Sequence, residues 1–297
     1  MKLSLRSSLL ATLAYADIFS YPLKEQELWK YFIGPPTTLN NFRATLTRLT
    51  YKKDIAYRDG YYYLPKRYAI ISERQKRERV SMRKFTRAQF AAYILTHIPT
   101  IWCIGISGSL AMGNTRSEDD IDFFLITAPN TLWFTRLLAN TLMDALGFRR
   151  KPHEKHVQDK ICLNMFYDGS RLLLPARERD LFSAHEIVQM VCLFERYDTY
   201  ARFLKENIWI SHFLPHAKSV PKPIGKTKTH WYSRLRLLEQ LCKAGELWYM
   251  KKKRTGEVIG STMLRFHPVD ARGWIKEALR MRLRKYNLPI DKIFYSS

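Results

Sequence analysis

Cysteines, acidic residues and long apolar runs are all scarce in this chain of 297 residues. The four cysteines lie far apart and form no Cys-x-x-Cys or Cys/His pattern, which excludes a disulfide framework and a zinc finger. Such cysteines indicate free thiols, so we expect a cytoplasmic protein. No apolar run reaches the roughly 18 residues of a membrane span, and we predict no membrane partner.

The shortage of acidic residues gives the chain a large positive charge. Lys and Arg number 50 and Asp and Glu 27, so the net charge is +23. This excess favours a polyanionic partner, and the aromatic residues provide surfaces on which bases stack. We predict a nucleic-acid partner, with RNA such as a tRNA end preferred over DNA. The sequence does not determine the oligomeric state.

The stretch from Ile101 to Thr127 combines two apolar runs with a polar turn between them. The first run ends at Ile106 and the second begins at Ile121, and each has the composition of a buried strand. Because side chains alternate across a strand, Asp120 and Asp122 are predicted to project from one face. A polar turn followed by a solvent-facing acid is the plainer interpretation, but the flanking strands favour a site.

This carboxylate pair predicts a site for a divalent cation. Two adjacent negative charges repel each other and raise one pKa unless a cation lies between them. Mg²⁺, or Mn²⁺ in its place, takes oxygen ligands and suits bound phosphates. Gly108 lets the backbone approach a ligand, and Ser109 can begin a helix whose free N–H groups favour a phosphate. Such equipment is typical of phosphoryl or nucleotidyl transfer.

The spacing of these residues resembles that of a known superfamily. Gly108-Ser109, ten residues and then Asp120-Ile121-Asp122-Phe123 is similar to the signature of the DNA polymerase β-like nucleotidyltransferases. In that signature a Gly-Ser pair precedes an Asp-x-Asp pair by about this interval. The resemblance covers a short part of the chain and is specific for the superfamily, not for any member.

The resemblance implies a reaction and a set of contacts. A nucleoside monophosphate would pass from a nucleoside triphosphate, ATP above all, to an acceptor hydroxyl. Asp120 and Asp122 would be catalytic and bind Mg²⁺ or Mn²⁺, while Gly108 and Ser109 would hold the nucleotide. Arg116 either contacts a phosphate or pairs with a neighbouring glutamate. Two other possibilities stay open: transfer to a protein or small molecule, and a non-catalytic nucleic-acid-binding regulator.

In the superfamily a third carboxylate usually lies on a neighbouring strand. The apolar run 161–167 is predicted to be this strand, but its interior carries Asn164. The nearest acids are Asp159 before the run and Asp168 after it. We take Asp168 as the third catalytic acid, and the alternatives are Asp159 or a site that Asn164 leaves without a third acid.

The pattern of elements predicts an α+β protein, with a small mixed sheet of the polymerase β-like nucleotidyltransferase type flanked by helices. Residues 1–66 are expected to form a winged-helix-like domain, because three amphipathic helices precede a hairpin with an Asp59-Gly60 turn. Residues 67–175 would form the catalytic domain and 176–297 a basic helical domain. In a winged helix, the third helix and the hairpin face the nucleic acid.

Basic residues in three places are predicted to contact nucleic acid. The third helix offers two of them, the basic stretch 65–87 offers two more, and the end of a long helix near residue 253 offers three. These residues are Arg43, Arg48, Arg74, Arg77, Lys251, Lys252 and Lys253.

Two short motifs receive a structural interpretation. The N-terminal run 8–16 imitates a signal peptide, but it is short and broken by Thr12, so we predict the first helix of a domain. His185-Glu186 has the composition of a general-base pair. A lone histidine on a helix is more often a polar boundary residue, and we predict that role.

Overall fold

The computed structural model describes residues 3–151, 154–217, 235–251, 258–265, 271–290 and 293. Its helices are α1 (Leu5–Ile18), α2 (Glu25–Lys30), α3 (Leu39–Tyr51), α4 (Ile70–Leu95), α5 (Gly108–Ala111), α6 (Leu132–Ala145), α7 (Leu181–Gln189), α8 (Thr199–Glu206), α9 (Arg236–Met250) and α10 (Ala271–Lys285). Its strands are β1 (Ala56–Arg58), β2 (Tyr61–Tyr63), β3 (Ile101–Ile106), β4 (Ile121–Thr127), β5 (Ile161–Asp168), β6 (Val191–Glu195), β7 (Val258–Ile259) and β8 (Met263–Arg265).

The N-terminal elements follow the predicted order of three helices and a hairpin. The hydroxyl of Thr38 caps α3 by accepting the backbone N–H of Asn41 across 3.3 Å. Between β1 and β2 the chain turns at Asp59 and Gly60, whose φ angles of 54° and 84° are those of a two-residue hairpin turn. Turn and cap chemistry therefore predicted these elements correctly.

A mixed sheet with the strand order β6-β3-β4-β5-β8-β7 forms the centre of the protein and is flanked by helices. Strand β3 runs antiparallel to β4 and β6, and β4 runs parallel to β5. All six residues of β3 are buried, as a strand covered on both faces requires. The predicted α+β class is confirmed, and so are the three predicted strands around the Asp-x-Asp motif.

The C-terminal part of the chain is less helical than predicted. The range 176–297 was predicted to be helical, but α7 ends at Gln189 and the following strand β6 pairs with β3. Strand β8 likewise pairs with β5. A short apolar run has no reliable helix or strand period, so its partner in the sheet decides its conformation.

The N-terminal and C-terminal helices share one apolar core. Helix α1 packs against both α3 and α10, and Leu10, Phe42 and Leu279 belong to the same buried cluster. In the described part of the chain, we find no helix that combines the length and the apolar composition needed to cross a bilayer.

Candidate active site

The start of β4 places two carboxylates on one face of the sheet, next to β5. Ile121 and Phe123 are fully buried on the opposite face, which orients Asp120 and Asp122 together. In the parallel pairing, Asp122 lies beside Cys162. One carboxylate oxygen from each aspartate and the Sγ of Cys162 all lie within 4.8 Å of one another. The structure thus brings the two predicted acids side by side and adds a thiol.

A glycine in the left-handed region brings the backbone against this pair. Gly108 has a φ of +65°, and a Cβ built on it would lie 3.0 Å from Oδ2 of Asp122. The backbone N–H of Ser107 donates to the main-chain oxygen of Asp122 across 3.0 Å, which ties the turn to β4. Any other residue at position 108 would therefore be strained and would crowd the carboxylate.

Asp119 organises the loop between the glycine turn and β4. Its Oδ2 accepts the backbone N–H of Arg116 across 2.8 Å and the hydroxyl of Ser109 across 3.5 Å. The side chain of Arg116 is exposed. The structure therefore places Ser109 beside the site and Arg116 at its outer edge, and their contacts with a nucleotide stay predictions.

A buried lysine from α4 holds the same loop from the core side. The side chain of Lys84 is 2% exposed and pairs with Asp159 across 2.9 Å. Its ammonium group also donates to the main-chain oxygens of Ser117 and Asp119. A buried charge satisfied in this way positions the acid loop and engages the carboxylate of Asp159 in an ion pair.

Asn164 occupies the place where a third carboxylate was sought. Its Nδ2 donates to Oδ1 of Asp122. Asp168 pairs with Thr127 at the other end of the two strands, six residues beyond Cys162 and so roughly 20 Å along the sheet. The structure therefore does not bring Asp168 to the carboxylate pair, because the register of β4 and β5 places it at the far end of the two strands. Its catalytic role stays a prediction.

Arg150 is a site residue that the sequence did not reveal. Its Nη1 pairs with Oδ2 of Asp120 across 2.7 Å, and its backbone N–H donates to the main-chain oxygen of Ile161 across 2.9 Å. The residue lies in the polar loop after α6, where no local pattern distinguishes it from its basic neighbours. Cys162 could have been predicted from the sequence, because alternation along β5 places it on the same face as Asn164.

The carboxylate pair is electrostatically strained. Burial raises the pKa of Asp122 well above its usual value, and the charges of Asp120 and Glu186 raise it further. The guanidinium of Arg150 acts in the opposite direction. Burial also raises the pKa of the Cys162 thiol, so this group is protonated at neutral pH. One cationic side chain therefore faces two carboxylates.

The donor set fits a divalent cation in part. The spacing of the two carboxylates suits one ion, and such an ion would relieve the repulsion that raises the pKa of Asp122. A thiol lies outside the oxygen set that Mg²⁺ prefers and is better suited to softer ions. A cation bound here would have to share the carboxylate of Asp120 with the guanidinium of Arg150. Of the three donor groups, Asp120 and Asp122 are the ones that could hold a hard divalent cation.

A cavity of about 350 Å³ opens beside the glycine turn. Its wall is mostly apolar and is formed by α1, α7 and α10 together with the turn itself. Its lining includes Tyr15, Phe19, Gly108, Ser109, Glu186 and Trp274. The cavity has the size of a small-molecule site, and it is continuous with the residues that approach Asp122.

Two arginines of α4 that were predicted to contact nucleic acid face inward. Arg74 is 3% exposed and pairs with Glu27 across 2.8 Å and with Glu78 across 2.9 Å. Arg77 is mostly buried and donates to Asn114 across 3.1 Å. The guanidinium of Arg74 is therefore enclosed and already paired with carboxylates, which does not favour the predicted contact with nucleic acid. The periodicity of α4 alone did not show which of its basic residues are covered by neighbouring elements.

The other predicted contacts lie at the surface where they are described. Arg43 is exposed and ion-paired to a glutamate of α2 across 2.7 Å. Arg48 and Lys251 are exposed. Lys252 and Lys253 lie outside the described residues. The structure thus leaves Arg48 and Lys251 available to a polyanion and does not bring them to the carboxylate pair.

Comparison with known proteins identifies no relative. No protein family matches the sequence, and no curated protein and no solved structure matches the chain significantly. Function must therefore be argued from the side chains that the fold brings together.

Proposed function

We propose that this protein is a metal-dependent nucleotidyltransferase, with a catalytic sheet of the polymerase β-like type. The observation that carries this proposal is the pair Asp120 and Asp122 on one face of β4, with the Gly108 backbone against Asp122. Arg150 pairs with Asp120 and Asn164 donates to Asp122, but one guanidinium does not offset the charge of two carboxylates. Burial and mutual repulsion raise the pKa of Asp122, as in sites that bind a positively charged ligand.

The proposed reaction transfers a nucleoside monophosphate from a nucleoside triphosphate, ATP in the first instance, to an acceptor hydroxyl. A divalent cation, Mg²⁺ or Mn²⁺, supplies neutralisation of the phosphate charge when bound. Asp120 and Asp122 hold it, and the tight turn at Gly108 leaves room for the triphosphate beside them. Ser109 is placed to donate its hydroxyl to a phosphate oxygen once it leaves Asp119.

We propose a nucleic-acid acceptor, with RNA preferred. A net charge of +23 exceeds what a triphosphate requires. Lys76, Arg79 and Arg83 lie exposed along α4, which leads into the catalytic strand β3. The N-terminal helices and hairpin would act as a winged helix with Arg48 of α3 outward. The free thiols of all four cysteines support a cytoplasmic location.

Labelled ATP tests the proposal, with total cellular RNA, DNA and protein offered as acceptors in the presence of Mg²⁺ or Mn²⁺. The expected result is incorporation into RNA that falls by about 10³-fold or more in Asp120→Asn and Asp122→Asn. Binding of RNA, measured without ATP, should survive both substitutions, because those acids serve chemistry and the exposed basic residues serve affinity.

Glu118→Gln is the matched control, since Glu118 is an exposed acid two residues before Asp120. This variant should transfer label at the parental rate. Parental rates in both aspartate variants would overturn the catalytic assignment. Label found only in the protein fraction would support nucleotidyl transfer, with a protein and not RNA as the acceptor.

A second candidate is a nucleic-acid-binding protein without transferase activity. Asn164 in the third position and the ion pair between Arg150 and Asp120 favour it. In that case RNA binding would be retained and no acceptor fraction would take up label with any divalent cation.

A further inference from the structure

The cavity beside the glycine turn contains a third carboxylate, on α7. Helix α7 packs against α5, and Glu186 lines the same cavity as Gly108 and Ser109. Gly108 also approaches Asp122. A group occupying the cavity would therefore meet Glu186 and the backbone of Gly108, and Asp122 lies against that same glycine.

The carboxylate of Glu186 makes no hydrogen bond or ion pair to any residue in the described ranges. The nearest basic group acting on it belongs to Arg272, which is paired with Glu178 across 3.1 Å. Glu178 lines the same cavity but is 5% exposed and also bonded to Arg265 across 3.0 Å. Of these two glutamates, only Glu186 presents unengaged oxygens to the cavity.

Electrostatics agrees with this geometry. The charge of Glu186 is among the causes that raise the pKa of Asp122, so the two groups lie in one electrostatic environment. Burial raises the pKa of Glu186 itself to about 7. A group that changes protonation near neutral pH is suited to accept a proton in one step and release it in the next.

We propose that Glu186 accepts the proton of the acceptor hydroxyl, and that the cavity holds the end of the acceptor that carries this hydroxyl. The proposal rests on the nucleotidyl transfer proposed above. The hydroxyl O–H bond breaks and its proton passes to the Glu186 carboxylate. The hydroxyl oxygen bonds to the α-phosphorus, the bond from that phosphorus to the bridging oxygen breaks, and pyrophosphate leaves with the electron pair.

The lining of the cavity indicates the chemistry of the acceptor end. Phe19 and Trp274 present rings on which a flat ring can stack. A volume of about 350 Å³ admits one ring-bearing unit and excludes a duplex. The acceptor end is therefore a single unstacked nucleoside whose ribose hydroxyl reaches Glu186.

The test is transfer by Glu186→Gln in the full-length protein, with single-turnover rates followed from pH 5.5 to 9. We expect the rate constant to fall by about 10² to 10⁴-fold while the dissociation constant for Mg²⁺-ATP stays within about twofold. The parental profile should rise with pH through a midpoint of about 7 or lower, and this limb should be missing in the variant. Glu186→Asp should recover part of the rate.

Glu277→Gln is the control, because Glu277 is an exposed glutamate of α10 that does not line the cavity. This variant should keep the parental rate and pH profile. A Glu186→Gln protein with the parental rate and limb would overturn the proposal, provided that Asp122→Asn remains inactive. If the parental protein itself transfers no label, the proposed function fails first. Thermal melting of Glu186→Gln shows whether a lost rate comes from a lost fold, and Glu186→Asp then decides.

Discussion

Acidic residues at the two ends of the strand pair β4 and β5 have opposite environments. At one end, Asp168 is buried and its two oxygens accept the backbone N–H groups of Asn130 and Ser170 across 2.8 and 2.9 Å. At the other end, Asp120 and Asp122 lie side by side, and among the described residues Arg150 is the ion-pair partner of Asp120. The first arrangement closes a turn, and the second leaves negative charge without full compensation.

Helix α7 repeats this contrast between two neighbours. His185 is buried, stacks on Tyr15 with ring centroids 3.9 Å apart and donates from Nδ1 to the main-chain oxygen of Leu181 across 2.9 Å. Glu186 faces the cavity without such partners among the described residues. Satisfied polar groups serve the fold, whereas strained ones are retained where a ligand can relieve them.

The largest effect expected from this contrast is on His185 as a function of pH. Burial lowers its folded-state pKa to about 4 from 6.5, so the folded protein holds the ring neutral. Stability from this ring is fully present above pH 6.5 and is lost as the pH falls towards 4, by about 3 kcal/mol in total. Urea unfolding of the parent and of His185→Phe at pH 7, 5.5 and 4 measures the difference.

The stability advantage of the parent over His185→Phe should therefore shrink with acidification. Glu186→Gln supplies the opposite sign. The folded-state pKa of Glu186 is raised to about 7 from 4.5, so the parent loses stability as the pH rises between these values, and the variant gains relative to it. If the free energy of unfolding of all three proteins changed with pH in the same way, the proposed difference between His185 and Glu186 would be contradicted.

A smaller effect is expected at Arg150, if this residue takes the place of a cation beside Asp120. Arg150→Met should lower the melting temperature without metal and increase the stabilisation by Mn²⁺ or Mg²⁺. An affinity gain of tenfold corresponds to about 1.4 kcal/mol of added stabilisation at saturating cation. Melting curves with and without each cation measure both changes.

Arg149→Met is the matched control for this experiment. Arg149 pairs with Asp144 across 2.6 Å, outside the carboxylate pair. Its loss should lower the melting temperature without changing the response to a cation. Equal cation responses in the two arginine variants would show that Arg150 does not compete for the site.

The smallest effect is expected when the acids at the two ends of β4 and β5 are substituted and the free energies of unfolding are compared. Asp168→Asn leaves one buried N–H without its acceptor and should lower the free energy of unfolding by about 1 kcal/mol. Asp122→Asn removes a like-charge repulsion and should leave that free energy unchanged or raise it. Urea unfolding at pH 7 measures both. A larger loss in Asp122→Asn than in Asp168→Asn would make the carboxylate pair a structural feature.

Local chemistry made much of the fold and the centre of the site predictable. Thr38, the Asp59-Gly60 turn and the apolar runs around Asp120 and Asp122 each define an element from a few adjacent residues. Non-local contacts decided the rest. Strand β6 forms because β3 offers an edge with which it can pair. Arg74 is buried because α2 and α4 meet, and the periodicity of a single helix does not predict such a contact.

The amino-acid sequence by itself determined that two acids would share one face of a strand beside a glycine turn, because alternation and backbone sterics act over neighbouring residues. Only the tertiary structure decided which groups surround them. Asn164 and Arg150 contact the pair, and Glu186 lines the cavity beside Gly108, whereas Asp168 lies at the far end of β5. The register of β5 and the packing of α7 against α5 set these positions.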